Sequence, residues 1–231
     1  LRYLLIEDNR LEIQNYSDDF IILRNDNHQQ LPQIAKAIYD KKYPFIEDVI
    51  ATEVEILIKL NRYYKSGYEK QLEQLTYSTN NQKRSINLPV YFGESADWNY
   101  IIEHTGLSSE DYLSQLQETT LTVAMYGFMP GFIYMKGLPT HMQVPRKENP
   151  EIKIPKNSLA LGGPYTGIYS MSSPGGWRII GQLATPIISI DTLPPVKLDI
   201  GDHINLVPIS EGQLNSMTNN NISLEAYNGI S

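Results

Sequence analysis

Residues 159–182 read LALGGPYTGIYSMSSPGGWRIIGQ. Three short strand-like runs, LALGG, GIYSM and WRIIGQ, follow one another with only the short connections PYT and SSPGG between them. Short apolar runs bounded by turn residues at close intervals are the pattern of an all-β barrel or sandwich. The same stretch poses a second question. Glycine clusters either cradle a phosphate or turn the chain. A phosphate loop needs GxxxxGK[ST] running into a helix, and neither LGGPYTG nor SPGGW has the lysine or the helix. Neither matches GxGxxG. The glycines of SPGGW therefore turn the chain so that Trp177 enters a barrel strand, Ile179 and Ile180 face opposite ways, and Gly181 ends the run.

Working outward, the same pattern holds from residue 120 onward in LTVAMYGF, PIISI and HINLVPI. Ahead of it, LPVYFG reads as a strand, followed by a helical pair in SADWNYIIEHTGLSSEDYLSQLQETT. Gly106 suits the end of the first helix and Ser108 the cap of the second, whose Tyr112, Leu113 and Leu116 share a face. Residues 78–87, STNNQKRSIN, have no apolar period and mark a linker. Before them, helix and strand signals mix. FIILRN (20–25) is a strand, and Leu31, Ile34, Ala35 and Ile38 fall at helical spacing. FIEDVIATEVEILIKL (45–60) gives two strands with Ile56 and Ile58 on one face and Leu57 opposite. Tyr68, Leu72 and Leu75 lie on one side of a second helix. The expected class is α+β: a small α+β domain over 1–86, then a β-barrel domain over 87–231. Its polar, Asn/Ser-rich tail, 211–231, is expected to be loosely held.

Composition excludes several function classes. The 231 residues carry 19 basic and 26 acidic side chains, a net charge of −7, which argues against nucleic acid as a partner. There is no cysteine, so no disulfide framework, thiol nucleophile or thiolate zinc site. His28, His104, His141 and His203 stand alone, without HExxH or another paired spacing, and no metal is expected. No GxSxG elbow is present. Glu118, Asp191, Asp199 and Asp202 have no spacing that pairs them. No apolar run reaches the length of a membrane span, and LRYLLIEDNRLEIQ lacks the features of a signal peptide. The expected setting is cytoplasmic, with no membrane partner.

Four segments, in order, carry a family resemblance: GFMPGFIYM (127–135), VPRKENP followed by IPKNSLAL, GGPYTGIY (162–169) and SPGGWRIIG (173–181). They closely resemble the allophanate hydrolase subunit 1 family, also described as 5-oxoprolinase B-type subunits or KipI-like proteins, of the carboxyltransferase subdomain C and D type. Weaker likenesses in LPVYFG, HTGLS and LPPVKLDIGDHINLVPI extend it across most of the chain. The resemblance implies a small α+β domain followed by a cyclophilin-like barrel. It also implies one of two functions. The first is a subunit, inactive alone, of a complex that opens 5-oxoproline to glutamate with ATP as co-substrate. Its partners would be a homologous second barrel subunit, of the allophanate hydrolase subunit 2 or oxoprolinase C-type, and a LamB/YcsF-type subunit. The second is a KipI-like inhibitor that binds a sensor histidine kinase. A diverged partner subunit without chemistry is a third reading. The chain departs from the family pattern at Gln182, Glu151 and Ser170, where the family often has arginine, arginine and proline.

The candidate substrate- or partner-binding residues follow from the matched segments. Phe128, Pro130, Gly131 and Phe132 form a loop that either lines a pocket or interface or simply turns while its rings fill the barrel. Arg146 has the fork that holds a carboxylate or phosphoryl group, though a loop arginine is also commonly a solvated cation. In GGPYTGIY, Thr166 and Tyr169 offer hydroxyls, and Gly162, Gly163 and Gly167 offer N–H groups for an oxyanion; a hairpin turn accounts for the same residues. Gly175, Gly176 and Trp177 complete the set, Trp177 as a pocket wall or a core residue. No residue is singled out as catalytic, and no ATP site is located in this chain.

Overall fold

The computed structural model describes residues 2–26, 28–63, 67–77, 84–191 and 195–229. The chain divides into two compact units, Leu1–Gln82 and Lys83–Ser231. Most of the linker expected over 78–87 lies outside the described residues, and Ser85, Ile86 and Asn87 already belong to a strand.

The first unit contains β1 (Arg2–Ile6), β2 (Asn9–Asn15), β3 (Phe20–Arg24), α1 (Leu31–Lys41), β4 (Ile46–Ala51), β5 (Glu55–Leu60) and α2 (Tyr68–Leu72). Its strands form one antiparallel sheet in the order β1-β2-β3-β5-β4. Period-two alternation decides the buried face: Ile56 pairs with Leu23 and Ile58 with Ile21, all four buried, while Leu57 turns the other way. The stripe Leu31, Ile34, Ala35 and Ile38 of α1 packs on that face with Phe45, Tyr68, Leu72 and Leu75. Pro32 sits in the first turn of α1, where its missing N–H costs nothing.

The second unit contains β6 (Ser85–Tyr91), α3 (Trp98–Thr105), α4 (Ser109–Glu118), β7 (Leu121–Tyr126), β8 (Ile133–Lys136), β9 (Glu151–Ile154), β10 (Ser158–Gly162), β11 (Tyr165–Ile168), β12 (Ser173–Gly175), β13 (Arg178–Leu183), β14 (His203–Pro208), α5 (Glu211–Asn219) and α6 (Leu224–Asn228). Seven strands close into a mixed barrel, β10-β11-β8-β7-β14-β6-β13, with β12 and β9 as a separate ribbon. Among the described residues of the barrel, only the β14–β6 pairing is parallel. Closure leaves no open edge on the barrel sheet. The fold is thus α+β. Ile101 of α3 and Tyr112 and Leu116 of α4 join the barrel core, and the buried Tyr112 hydroxyl donates to the Met142 carbonyl at 2.8 Å. Gly106 takes the left-handed conformation that ends α3, and the Ser108 hydroxyl accepts from the Asp111 N–H at the start of α4.

A partly buried ion pair ties the chain at the start of β14 to the residue before β6. Arg84 Nε donates to Asp202 Oδ1 at 3.0 Å, and its Nη2 meets both Asp202 Oδ2 and, at 3.2 Å, Asp199. Asp199 and Asp202, unpaired by spacing, are therefore joined by a shared arginine; the Asp199 N–H also donates to Asp202 Oδ2 at 2.7 Å.

Three expectations are corrected. Over its described residues, 211–229, the tail is not loose: α5 starts with a Ser210–Gln213 capping box, Leu214 and Leu224 are buried, and the Asn228 side chain bonds both backbone groups of Asn87. PIISI (186–190) is not a strand and, among the described residues, makes only an isolated bridge, Ile188 to Val196. Gly181 does not end its run. It lies inside β13, where a Cβ would stand 2.8 Å from Val90 Cγ1 and 2.9 Å from the Tyr91 carbonyl oxygen, so close approach to β6 requires glycine there.

Candidate functional site

The strands β8, β10, β11 and β13 have two apolar faces. Ile133, Met135, Leu159, Leu161, Ile168 and Ile180 point into the barrel core. Their neighbours Phe132, Ala160 and Tyr169 join Ile154 and Trp177 in a second, smaller cluster, with Tyr134 and Ile179 packed against it. Alternation places this second cluster on the outside of the barrel wall. Phe132 is its hub, meeting Tyr134, Tyr169 and Trp177 edge to face at 4.8, 5.0 and 5.5 Å.

Trp177 lies over two glycines. A Cβ on Gly162 would stand 2.5 Å from its ring and one on Gly167 2.6 Å. Trp177 itself precedes β13 rather than lying within it, and it is 5% exposed. The glycines of GGPYTGIY thus make a bare patch of wall on which an indole rests. Gly175 serves the same cluster, since a Cβ there would collide with the Tyr169 hydroxyl.

Next to the indole, the segment 144–147 is held by its backbone. The Val144 carbonyl accepts from Gly163 N at 2.8 Å, the Pro145 carbonyl from Arg178 Nε at 3.2 Å, and Lys147 N donates to the Gly176 carbonyl at 2.6 Å. The Lys147 ammonium meets Asp97 at 2.7 Å and also Glu151. Asp97 is 5% exposed, and it accepts from Ile179 N at 2.8 Å and pairs with Arg178 at 3.4 Å. Burial works to lower the Lys147 pKa, but its hydrogen bonds to Asp97 and Glu151 outweigh that, and the net shift is upward. Arg178 is further covered by Tyr100, its guanidinium carbon 3.2 Å from the ring centroid.

Arg146 stands in the middle of this held segment and is exposed. Its guanidinium carbon is 5.2 Å from the centroid of the Trp177 ring, and among the described residues it has no carboxylate partner. Burial raises the pKa of Tyr134 and of Tyr169, and in both cases the nearby Arg146 charge opposes the rise. The arrangement is an open cation on an aromatic platform, able to receive a small anion.

The structure brings Phe128, Phe132, Arg146, Gly167, Tyr169, Gly175, Gly176 and Trp177 to this outer face. Phe128 is 63% exposed at a φ of 65°, edge-on to Phe132 and Tyr169. A bulky residue in the left-handed region is uncommon and marks a constrained loop. Gly131 in the same loop has a φ of 74°, and the Pro130 carbonyl accepts from the Ser170 hydroxyl at 2.6 Å. Ser170 therefore has a structural partner, and Glu151 is engaged by Lys147. Two readings change. Thr166 pairs with Met135 and Leu161 on the barrel-core side, and is fully buried with its hydroxyl unpartnered; alternation turns it away from Arg146. The Gly163 N–H is taken by Val144, and Gly162 and Gly167 belong to the β10–β11 ladder, so these glycines form no oxyanion nest. Gly163 and Pro164 are the two-residue turn of that hairpin, glycine first at a φ of 65°, as a type II′ turn requires.

Sequence reasoning missed Asp97 and Arg178. The available signal was SADW, an aspartate directly before a helix, which reads as a cap; the carboxylate instead reaches across to β13 and Lys147. Among the described residues, no group of three His, Asp or Glu side chains stands together as a metal site. No helix among them is long and apolar enough to cross a membrane.

Comparison with known proteins agrees with the motifs. The family model described as carboxyltransferase domain, subdomain C and D, matches residues 11–198. The B subunit of 5-oxoprolinase from Escherichia coli O157:H7 is 33% identical over 133 residues, 57% of this chain and 61% of that protein. The chain is thus matched to about three-fifths of that relative's length. The B subunit of 5-oxoprolinase from Bacillus subtilis strain 168 is 27% identical over 226 residues, 87% of this chain and 94% of that protein. In fold, the crystal structure of TTHA0988 matches with a TM-score of 0.74 at 22% identity, covering 86% of this chain and 41% of that one. A family model that spans most of both units settles the assignment: the chain belongs to the carboxyltransferase-domain family, subdomain C and D, and is similar to proteins named as the B subunit of 5-oxoprolinase.

Proposed function

We propose that this chain is the B-type component of a 5-oxoprolinase, and that its Arg146–Trp177 face receives the carboxylate of 5-oxoproline. The observation that carries the reading is the Arg146 guanidinium, without a carboxylate partner among the described residues and set beside an indole inside the span that the family model matches. Substrate and site match in chemistry. The substrate has one carboxylate, which a guanidinium fork can hold. In the overall reaction water adds across the lactam C–N bond to give glutamate, while ATP is hydrolysed to ADP and phosphate. The chain's own part is binding and orientation, which lowers the entropic barrier of the step. Phosphorylation and bond cleavage fall to residues of the partners: a homologous second barrel subunit and a LamB/YcsF-type subunit, in the cytoplasm. The ATP site lies on a partner in this reading, because the glycine-rich turns here are engaged in supporting Trp177 and the 144–147 segment.

Co-expression of the chain with those two partners, followed by an assay of ATP-dependent glutamate release from 5-oxoproline, tests the reading. Turnover by the assembled complex that none of the subunits shows alone is the expected result. An intact complex with no turnover would sink it.

One observation favours a binding role instead. Phe128, Ile152 and Met171 are exposed apolar side chains, Ile152 at 90%. A KipI-like contact with a sensor histidine kinase would use such a surface. Inhibition of kinase autophosphorylation by the purified chain, lost in Phe128→Ser, is the outcome that reading requires.

A further inference from the structure

We infer that Asp97 is a positioning residue for Arg146, acting through Lys147 and the 144–147 segment; the inference rests on the proposed role of Arg146. Asp97 stands at the N-cap of α3 yet makes no cap hydrogen bond. An aspartate there ordinarily accepts from its own helix. Its carboxylate instead takes the Ile179 N–H at 2.8 Å, the Lys147 ammonium at 2.7 Å and the Arg178 guanidinium at 3.4 Å. Two of these donors come from β13 and the third from Lys147, the residue after Arg146. Arg178 in turn donates to the Pro145 carbonyl. Both chain neighbours of Arg146 are therefore tied, directly or through one residue, to a single buried carboxylate.

Charge explains why a carboxylate is needed. Without Asp97, Lys147 and Arg178 would lose the carboxylate they share, and Lys147 would keep only the half-exposed Glu151. Lys147 would then be freed to compete with Arg146 for the incoming anion. With Asp97 in place, both cations are engaged and Arg146 is left with an open fork above Trp177. A preorganised, single cation binds an anion without the cost of ordering the loop at the moment of binding.

The test uses the assembled complex and three variants, Arg146→Ala, Asp97→Asn and Lys147→Met, the last two alone and with Arg146→Ala. The expected result is a KM for 5-oxoproline raised roughly tenfold by Arg146→Ala, the scale of one charge-assisted contact. Asp97→Asn and Lys147→Met raise it severalfold, kcat changes less, and neither adds to Arg146→Ala. A raised KM in Arg146→Ala with none in Asp97→Asn and Lys147→Met, or fully additive effects, overturns the inference and leaves the substrate reading standing. An unchanged KM in Arg146→Ala overturns both. A readout free of turnover is the indole N–H resonance of Trp177 in 15N-tryptophan-labelled protein, assigned with Trp98→Phe. Asp97→Asn moves it toward its position in Arg146→Ala; a resonance that stays at the wild-type position refutes positioning even where the complex is inactive.

Discussion

Trp177 rests on the backbone of Gly167, so closely that a Cβ there would stand 2.6 Å from its ring and 2.8 Å from the tip of Phe132. The requirement at Gly167 is one of space. At Gly163, four residues earlier, nothing lies within 4 Å of a Cβ and the requirement is the positive φ of 65°. The two positions separate in experiment. Gly167→Ala forces the indole off the wall and destabilises the second unit by about 1–3 kcal/mol, the usual range for overpacking. Its tryptophan emission shifts to the red. Gly163→Ala costs about 1–2 kcal/mol of backbone strain with the emission unchanged. Urea unfolding followed by fluorescence reads both numbers; an unmoved emission in Gly167→Ala would show that the ring does not rest there.

That relationship also shows where the sequence was legible. The short strand runs other than PIISI, the helix stripe Leu31, Ile34, Ala35 and Ile38, and the alternation of Ile56 and Ile58 depend on local periodicity, and the helix stripe and both isoleucines are buried as the spacing requires. β1 and β2 carry the same alternation in Leu4, Ile6, Leu11 and Ile13, read only once their pairing is known. The site was legible as motifs but not as geometry. That Gly162 and Gly167 serve Trp177, that Thr166 faces inward, and that Asp97 reaches Lys147 are facts about residues far apart in sequence and brought together by barrel closure. The tail misled because its polar composition hid two good caps, Ser210 and Ser223, and two anchors, Leu214 and Leu224.

Arg84 and Asp202 secure the parallel β14–β6 pairing, where no hairpin holds the register. Asp202 is 3% exposed, so Arg84→Met leaves a buried carboxylate short of its main partner. Removal of one member of a buried pair costs up to about 3–5 kcal/mol. The arginine is partly solvated, which lowers the expectation to about 2 kcal/mol. Asp202→Asn should cost less than Arg84→Met, because it removes the charge that needs compensation. Denaturant midpoints of the two single variants and the double give the coupling, and strict additivity would show that the pair does not act as a unit.

Tyr112 donates its buried hydroxyl to the Met142 carbonyl at 2.8 Å, and burial pushes its pKa well above the ordinary phenol value. The phenol therefore stays protonated and donating across the working range of pH. Tyr112→Phe keeps the ring in the barrel core, including its edge contact with Trp98, and leaves one carbonyl without a donor. A loss of about 1 kcal/mol is expected, with no new pH dependence. Thermal unfolding at neutral and at mildly alkaline pH checks both parts.

Lys197 pairs with Glu225 in the first turn of α6 at 3.0 Å. Burial works to raise the Glu225 pKa, but backbone and side-chain hydrogen bonds and the Lys197 charge lower it, and the net shift is downward from 4.5. A carboxylate with a depressed folded pKa contributes stability that is present above its unfolded value and is lost as pH falls through the folded one. α6 should therefore be fully held at pH 5 and above, and should loosen below about pH 4, on the acid side of the ordinary carboxylate range. Because the pair is partly exposed, the effect is local and falls with salt. Amide hydrogen exchange in 224–228 reads it directly: protection should drop on acidification in the wild type, and Glu225→Gln should show the lower protection already at neutral pH. Equal protection in wild type and Glu225→Gln at both pH values would mean that Leu224 and the Asn228–Asn87 bonds hold the helix without the ion pair.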